Sequence, residues 1–288
     1  MKVVGFTIVR NAIKYDYPVR ESIESILPLV DEMIVLVGKS EDQTLELIES
    51  IASSKVKIHH SIWNDQLREG GHVLADETNK ALALVDKKAD WAYYIQADEI
   101  IPEFEYDSIK NAMVKFQNQK HIEGILMDYR HFYGSYDFIG DSRRWYPKEI
   151  RIIRPNLNIY SYRDAQGFRI ENRKLKVKDS HAYIHHYGWV KPPESQQLKQ
   201  LNFNKLWHND NWIENNVGNA ESFDYSNIDS LSKYEGKHPK LMHDRIKKMN
   251  WTFNADPSKK APLKYRFLQW VNRKTGINIG QYQNYKLI

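Results

Sequence analysis

Short apolar runs alternate with amphipathic segments along the first 117 residues of the chain. Strand-type runs cover residues 2–9, 32–37, 55–62 and 91–96, and segments with helical periodicity cover residues 19–29, 42–51, 73–85 and 106–117. Strands that alternate with helices at this spacing are typical of right-handed βαβ units, whose strands lie parallel in one sheet. The pattern therefore predicts an α/β fold with a parallel sheet flanked by helices.

The pattern changes after about residue 120. Short strand-type runs at 124–133, 149–154, 159–162 and 182–187 follow one another without long helices, which indicates an irregular, partly antiparallel extension of the sheet. Helical periodicity returns at 195–208, 241–251 and 262–274. We expect one α/β domain over residues 1–208 and a helical C-terminal extension over residues 209–288.

Polar residues follow three of the predicted parallel strands at the point where each strand ends. They are Arg10 and Asn11 after the first strand, residues 38–42 after the second, and Ala97, Asp98 and Glu99 after the fourth. Because ligands bind at the carboxyl ends of parallel strands, these segments should meet in one crevice. Carboxylate oxygens suit a hard divalent cation, and such a cation suits a diphosphate. The sequence therefore predicts a metal-assisted nucleotide or phosphate site.

Composition narrows the class of protein. The chain of 288 residues has 41% hydrophobic and 27% charged residues, which is ordinary for a globular protein, and no apolar run is long enough to span a bilayer. The absence of cysteine excludes disulfides and thiolate metal sites. The N-terminus has the pattern of a strand rather than of a signal peptide. We expect a cytoplasmic enzyme.

The net charge of +5 raises the question of an anionic partner. The basic residues are mostly scattered and no recognition-helix or RNA-binding signature occurs, so no nucleic-acid partner is expected. Much of the excess lies near the C-terminus, at Lys259, Lys260 and residues 264–274. This segment is expected to be a solvated helix face, to pack on the domain, or to make peripheral contact with an anionic membrane or acceptor.

Several segments resemble family 2 glycosyltransferases with the GT-A fold. They are Thr7-Ile-Val-Arg-Asn11, Gly38-Lys-Ser-Glu-Asp-Gln-Thr44, Asp76-Glu-Thr-Asn-Lys-Ala-Leu82, Gln96-Ala-Asp-Glu99 and Ile184-His-His-Tyr-Gly-Trp-Val190. The resemblance covers roughly residues 3–208 and is specific in order and spacing. It implies a GT-A-type, Rossmann-like sheet with a nucleotide-binding half (1–120) and an acceptor half (121–208).

The same resemblance implies an activity. It is the inverting transfer of a sugar from a nucleotide diphosphate sugar to a glycan or lipid-linked acceptor, with Mg²⁺ or Mn²⁺ as cofactor, in the synthesis of a bacterial surface glycan. The implied nucleotide contacts are Thr7, Arg10, Asn11, Ser40, Asp42, Asn79, Gln96 and Ala97. The implied metal ligands are Asp98, Glu99 and His186, with His185 packed structurally. Asp164 is the first candidate for the catalytic base, and Asp141 and Glu149 are the reserves.

Two departures from the family pattern keep other functions open. Gln96 stands where the family commonly has an aspartate, and the usual acidic residue after the second strand is absent from Val35-Leu-Val-Gly38. A nucleotidyltransferase is the alternative enzyme, although the loop after the first strand lacks the glycines that hold a triphosphate. A non-catalytic nucleotide or sugar binder is the third hypothesis.

Overall fold

The computed structural model describes residues 1–208, 210–216, 220–255, 262–275, 279–280 and 282–288. Its strands are β1 Val3–Val9, β2 Glu32–Gly38, β3 Val56–Ser61, β4 Trp91–Tyr94, β5 Glu99–Ile100, β6 Gly124–Tyr133, β7 Phe138–Gly140, β8 Lys148–Ile153, β9 Ile159–Ser161, β10 Phe168–Ile170, β11 Arg173–Lys174, β12 Lys176–Trp189, β13 Leu231–Lys233 and β14 Lys286–Leu287. Its helices are α1 Val19–Ile26, α2 Thr44–Glu49, α3 His72–Ala83, α4 Tyr106–Phe116, α5 Pro193–Lys205, α6 Asp210–Asn216, α7 His243–Lys247 and α8 Leu263–Thr275.

Eleven of the described strands form one sheet, in which β3, β2, β1 and β4 lie side by side and parallel. Next to β4, β8 runs antiparallel, β6 pairs with β8, and β12 runs parallel to β6. Strands β9 to β11 form a small separate sheet. The parallel half confirms the predicted α/β class with a GT-A-type, Rossmann-like sheet.

Helices cover both faces of this sheet because the central strands are apolar on both faces. All seven residues of β1 are buried, and successive side chains enter different cores. Val3 and Val9 join the core under α1, α2 and α4, whereas Phe6 packs with Leu82 of α3. A strand buried on both faces has a continuous apolar run rather than an alternating one, as the sequence pattern indicated.

Two short strands of the region predicted to be a helical extension, residues 209–288, pair with the main sheet. Strand β13 pairs antiparallel with β7, and β14 pairs parallel with β12, so both extend the main sheet. The predicted helix at 241–251 is reduced to a 3₁₀ turn at Lys240–Met242 followed by α7. A strand of two or three residues is too short to show an alternating sequence pattern. It is identified only by its pairing with the edge of the sheet.

A buried ion pair joins the parallel half of the sheet to the antiparallel half. Arg151 of β8 donates to both carboxylate oxygens of Glu99, from Nη2 at 2.7 Å and from Nε at 3.0 Å. Both side chains are at most 2% exposed. The Tyr129 hydroxyl donates to Glu99 at 2.7 Å, and the backbone N–H of Gln96 donates to it at 3.1 Å. The pair thus fixes the turn after β4 against β6 and β8.

Replacement of Arg151 by methionine should lower the stability of the folded protein. The variant leaves a buried, unpaired carboxylate at Glu99, and we expect a loss of about 3–5 kcal/mol in the free energy of unfolding, measured by urea denaturation followed by circular dichroism. The double variant Glu99→Gln with Arg151→Met has no unpaired charge and should lose less. Equal losses in the single and double variants would contradict this account.

Candidate active site

The loops that follow β1 and β2 are tied together at the carboxyl edge of the sheet. Asn11, at a φ of 54°, donates its backbone N–H to Ser40 Oγ at 3.0 Å and accepts from the N–H of Glu41 at 2.8 Å through its side chain. Asp42 accepts the N–H of Lys14 at 2.7 Å. The predicted meeting of these segments occurs, but Ser40 and Asp42 hold the loops and do not line the adjacent cavity.

A cavity of about 400 Å³ opens at this edge. Of the predicted nucleotide contacts, Arg10, Asn11, Gln96 and Ala97 line it. Sequence reasoning missed Trp63, also a lining residue, because it lies in a loop after β3 without a recognisable motif. The Arg10 guanidinium lies 5.4 Å from the Trp63 ring, and its Nη1 donates to Asp65 at 2.8 Å.

Two donors in this wall have no hydrogen-bond partner among the described residues. They are Nε of Arg10 and Nε1 of Trp63, both buried. A buried donor without a partner costs free energy, and Trp63 Nε1 lies against Gly38, where an added Cβ would clash with it. A cation beside an indole also provides a flat surface of the kind on which a nucleobase stacks.

A second cavity of about 590 Å³ adjoins the first. It is lined by Glu149, Asp164 and His186, together with the aromatic side chains of Tyr146 and Trp189. Gln96, Asp98 and Lys199 line both cavities. Asp98 is therefore at the junction, where a group bound in one cavity could contact a group bound in the other.

Asp98 is held beside His186 by the backbone. Glu99 of β5 pairs with His186 of β12, and the N–H of Tyr187 donates to the carbonyl of Asp98 at 2.8 Å. The Asp98 carboxylate lies 3.2 Å from Lys199 Nζ and 3.7 Å from His186 Nε2. Burial alone would raise the pKa of Asp98, but Lys199, His186 and Lys191 together hold that pKa well below its usual value.

The hydrogen bonds behind His186 fix its tautomer. The Tyr146 carbonyl can only accept, so the His131 Nε2 that lies 2.8 Å from it carries the proton. Burial keeps His131 neutral because it holds the pKa well below the usual value. His131 Nδ1 is then an acceptor, and His186 Nδ1 donates to it at 3.1 Å. Since Nδ1 is engaged by His131, Nε2, which faces Asp98, is the ring nitrogen left to coordinate a cation bound there.

The residues present fit a divalent cation. A Cβ built on Gly188 would lie 2.6 Å from Asp98 Oδ2 and 2.7 Å from His186 Nε2, so the glycine leaves a space that borders both ligand atoms. One carboxylate and one imidazole suffice for Mg²⁺ or Mn²⁺ when substrate phosphates and waters complete the coordination. The Lys199 ammonium donates to the same carboxylate oxygen at 3.2 Å.

Like Ser40 and Asp42, the predicted site residues Thr7, Glu99 and Asn79 do not line either cavity. Thr7 is buried within β1, and Glu99 is engaged by Arg151. Asn79 of α3 exchanges two hydrogen bonds with the backbone of Ser161, accepting from its N–H at 2.6 Å. The side chains of Glu99 and Asn79 thus hold neighbouring elements together. In contrast to His186, His185 is fully buried in the aromatic core around Phe132.

The candidate bases differ in their surroundings. Burial raises the pKa of Asp164 to about 6, and its Oδ1 has no hydrogen-bond partner among the described residues. Burial raises the pKa of Glu149 further, to about 8. Asp141 accepts a hydrogen bond from Ser230 and lines neither cavity. Asp164 and Glu149 are thus brought together in the second cavity, and Asp141 is not.

Among the described residues, one group of three histidine or acidic side chains is close enough to share a metal ion, and it lies elsewhere. It consists of Asp128, Asp179 and His181, whose ligand atoms lie within 4.8 Å of one another. Lys148 already pairs with Asp128 at 2.7 Å and with Asp179 at 2.5 Å. The lysine therefore offsets one of the two negative charges without an ion.

Comparison with known proteins finds solved structures that are similar to this chain at low sequence identity. No family model and no curated protein matches the chain. A crystal structure of S. aureus TarS 1–349 is similar at 18% identity and a TM-score of 0.42, over 72% of this chain and 65% of that one. The longer S. aureus TarS structure is similar at 19% identity and a TM-score of 0.42, and this chain covers 39% of its length.

Glucosyl-3-phosphoglycerate synthase from Mycobacterium tuberculosis, in complex with Mn²⁺, UDP and glucosyl-3-phosphoglycerate, is similar at 18% identity and a TM-score of 0.31. That likeness covers 46% of this chain and 45% of the synthase.

Within the described residues, every helix is too short or too polar to cross a lipid bilayer.

Proposed function

We propose that the protein is an inverting glycosyltransferase that moves a sugar from a nucleotide diphosphate sugar to the hydroxyl of a glycan or lipid-linked acceptor. One observation carries the proposal: Asp98 lies where two cavities meet. The first has an unpaired arginine and tryptophan donor, and the second has two carboxyl groups of raised pKa. This arrangement suits a donor whose diphosphate lies at the junction and an acceptor that enters from the second cavity.

On the donor side, the residues bind and orient the leaving group. Arg10 and Trp63 would hold the nucleoside, which places its diphosphate toward Asp98. Asp98 and His186 would hold Mg²⁺ or Mn²⁺, which stabilises the negative charge of the departing nucleoside diphosphate. His131 keeps His186 in the tautomer that this role requires.

On the acceptor side, Asp164 would act as the general base. The acceptor hydroxyl oxygen forms a bond to the anomeric carbon, the bond from that carbon to the diphosphate breaks, and the hydroxyl proton passes to the Asp164 carboxylate. A base must be ionised to accept this proton. With a pKa of about 6, Asp164 is ionised at neutral pH, whereas Glu149, with a pKa of about 8, is mostly protonated.

Titration calorimetry with UDP, GDP, dTDP and CDP, each with and without Mn²⁺, tests the donor site. We expect one diphosphate to bind in a metal-dependent manner. Asp98→Asn keeps the shape but removes the charge, and should weaken this binding by at least the roughly 10–100-fold that loss of a supporting residue costs a metal site.

The alternative functions predict different results in binding and turnover assays. Binding that Asp98→Asn leaves unchanged would refute the assigned site. Release of pyrophosphate from a nucleoside triphosphate would favour a nucleotidyltransferase. Binding without hydrolysis or transfer, with many acceptors supplied, would favour a non-catalytic binder.

The pH profile of kcat/KM tests the base. We expect activity to rise with pH and to reach half its plateau near pH 6, because Asp164 must lose its proton. Asp164→Asn should lower kcat by roughly 10²–10⁴-fold. Glu149→Gln imitates the protonated acid and should stay within a few-fold of the parent. If Glu149→Gln is the more damaging change, Glu149 is the base.

A lipid-linked acceptor would be met at a membrane surface, and α8 has the features of a surface-binding helix. Leu263, Phe267 and Trp270 follow one another at helical spacing and are 78%, 62% and 58% exposed. From Pro257 to Thr275 the sequence has six basic residues and no acidic one. An exposed apolar stripe among cations complements an anionic bilayer. We propose that α8 contacts such a bilayer peripherally.

Co-sedimentation with vesicles tests this contact. We expect binding to vesicles that contain phosphatidylglycerol and not to pure phosphatidylcholine. Phe267→Ser should weaken it by roughly 10- to 150-fold, since insertion of a phenylalanine contributes about 1.5–3 kcal/mol. Ile62→Ser, at an exposed isoleucine elsewhere, is the control. Binding indifferent to lipid charge would refute the contact, and self-association lost in Phe267→Ser would instead assign α8 to a second copy of the chain.

A further inference from the structure

We propose that Lys199 is an internal counter-ion, which neutralises Asp98 in the free protein and moves to the diphosphate of the donor when a divalent cation takes its place. The proposal rests on the proposed function and deepens it. It concerns a residue that the sequence motifs did not indicate, and it predicts that the cation and the nucleotide bind cooperatively.

Lys199 is built into the site and is not a surface lysine that happens to reach it. Its side chain is only 12% exposed. Nζ donates to Asp98 Oδ2 at 3.2 Å and to the carbonyl of Gly188 at 2.8 Å, and it lies 4.9 Å from the Tyr17 ring centroid. The ammonium therefore has three contacts. Among the described residues, Asp98 is the only acidic side chain that forms an ion pair with Lys199.

A second lysine lies behind the same aromatic ring. Lys191 is fully buried and donates to the carbonyls of Tyr15 at 2.7 Å and Asp16 at 3.3 Å. Its Nζ lies 4.5 Å from the Tyr17 ring centroid. Burial and the nearby Lys199 ammonium hold the pKa of Lys191 well below its usual value, because the two amines disfavour each other's positive charge. The position of Lys199 therefore depends on the negative charge of Asp98.

The lysine and a divalent cation compete for one oxygen. The space left by Gly188 borders Asp98 Oδ2, and Lys199 contacts the same atom. Two cations on one carboxylate repel each other strongly in a partly desolvated site. The cation alone would therefore bind weakly, because it must displace the ammonium into a region that already contains Lys191.

A diphosphate removes this obstacle. Lys199 lines both cavities, and its flexible four-carbon stem allows the ammonium to move between partners at the junction. The diphosphate supplies new negative charge for Lys199 at the moment when the cation takes Asp98. Each ligand then favours the other, and this coupling must be equal in both directions.

Binding of Mn²⁺ alone, followed by the electron paramagnetic resonance signal of the free ion, tests the proposal. Lys199→Met removes the ammonium and keeps the length of the stem, so we expect nucleotide-free Mn²⁺ affinity to rise on the order of tenfold. Lys110→Met, which removes an exposed ammonium on α4 that lines neither cavity, should leave that affinity unchanged. In Lys199→Met with Asp98→Asn the gained affinity should disappear, which locates the ion at Asp98.

Repetition with the diphosphate that binds best measures the coupling. It should tighten Mn²⁺ binding in the parent protein and do so much less in Lys199→Met. If Lys199→Met binds Mn²⁺ no more tightly than the parent, the counter-ion role is wrong, even where the nucleotide binds as proposed. If no diphosphate binds to the parent, the proposed function fails, while the effect of Lys199 on the metal alone is still measured.

Discussion

The buried contact between Glu99 and Arg151 is the interaction on which the site depends. A guanidinium and a carboxylate that are both removed from water must satisfy each other, and this pair does so with two hydrogen bonds. Tyr129 and the turn at Gln96 complete the carboxylate shell. Because the four partners come from β4–β5, β6 and β8, the charge pair fixes the turn where the parallel and antiparallel halves of the sheet meet. Consecutive residues of that turn then face different ways, so Glu99 enters the core and Asp98 enters the cleft.

The neighbouring strand completes the arrangement. Pairing of β5 with β12 brings His186 to Asp98, and the alternation of side chains along β12 sends His185 into the aromatic core. His131 adds the hydrogen bond that selects the tautomer of His186. The metal site proposed for this pair thus depends on backbone pairing and on the second imidazole, that of His131.

The surroundings of three carboxyl groups assign them different roles. Asp98 lies among cations, which keep its pKa well below the usual value. Asp164 and Glu149 lie in the second cavity, where burial raises the pKa to about 6 and about 8. Environments that separate pKa values in this way suit different roles. Asp98 suits an anion that holds a cation, Asp164 a base, and Glu149 a neutral acid. Residue type alone does not distinguish the three.

The sequence by itself determined the α/β class, the alternation of the first strands and helices, and the meeting of the strand-end segments at one edge, because hydrophobic periodicity and strand direction are local properties. It did not determine that Glu99 pairs with Arg151, that Asn79 clamps the backbone of Ser161, or that Lys199 reaches Asp98. It also missed the short strands β13 and β14, which complete the sheet. These contacts join residues far apart along the chain, and their partners are decided by burial and by the need to satisfy polar groups, which exist only once the tertiary structure has formed.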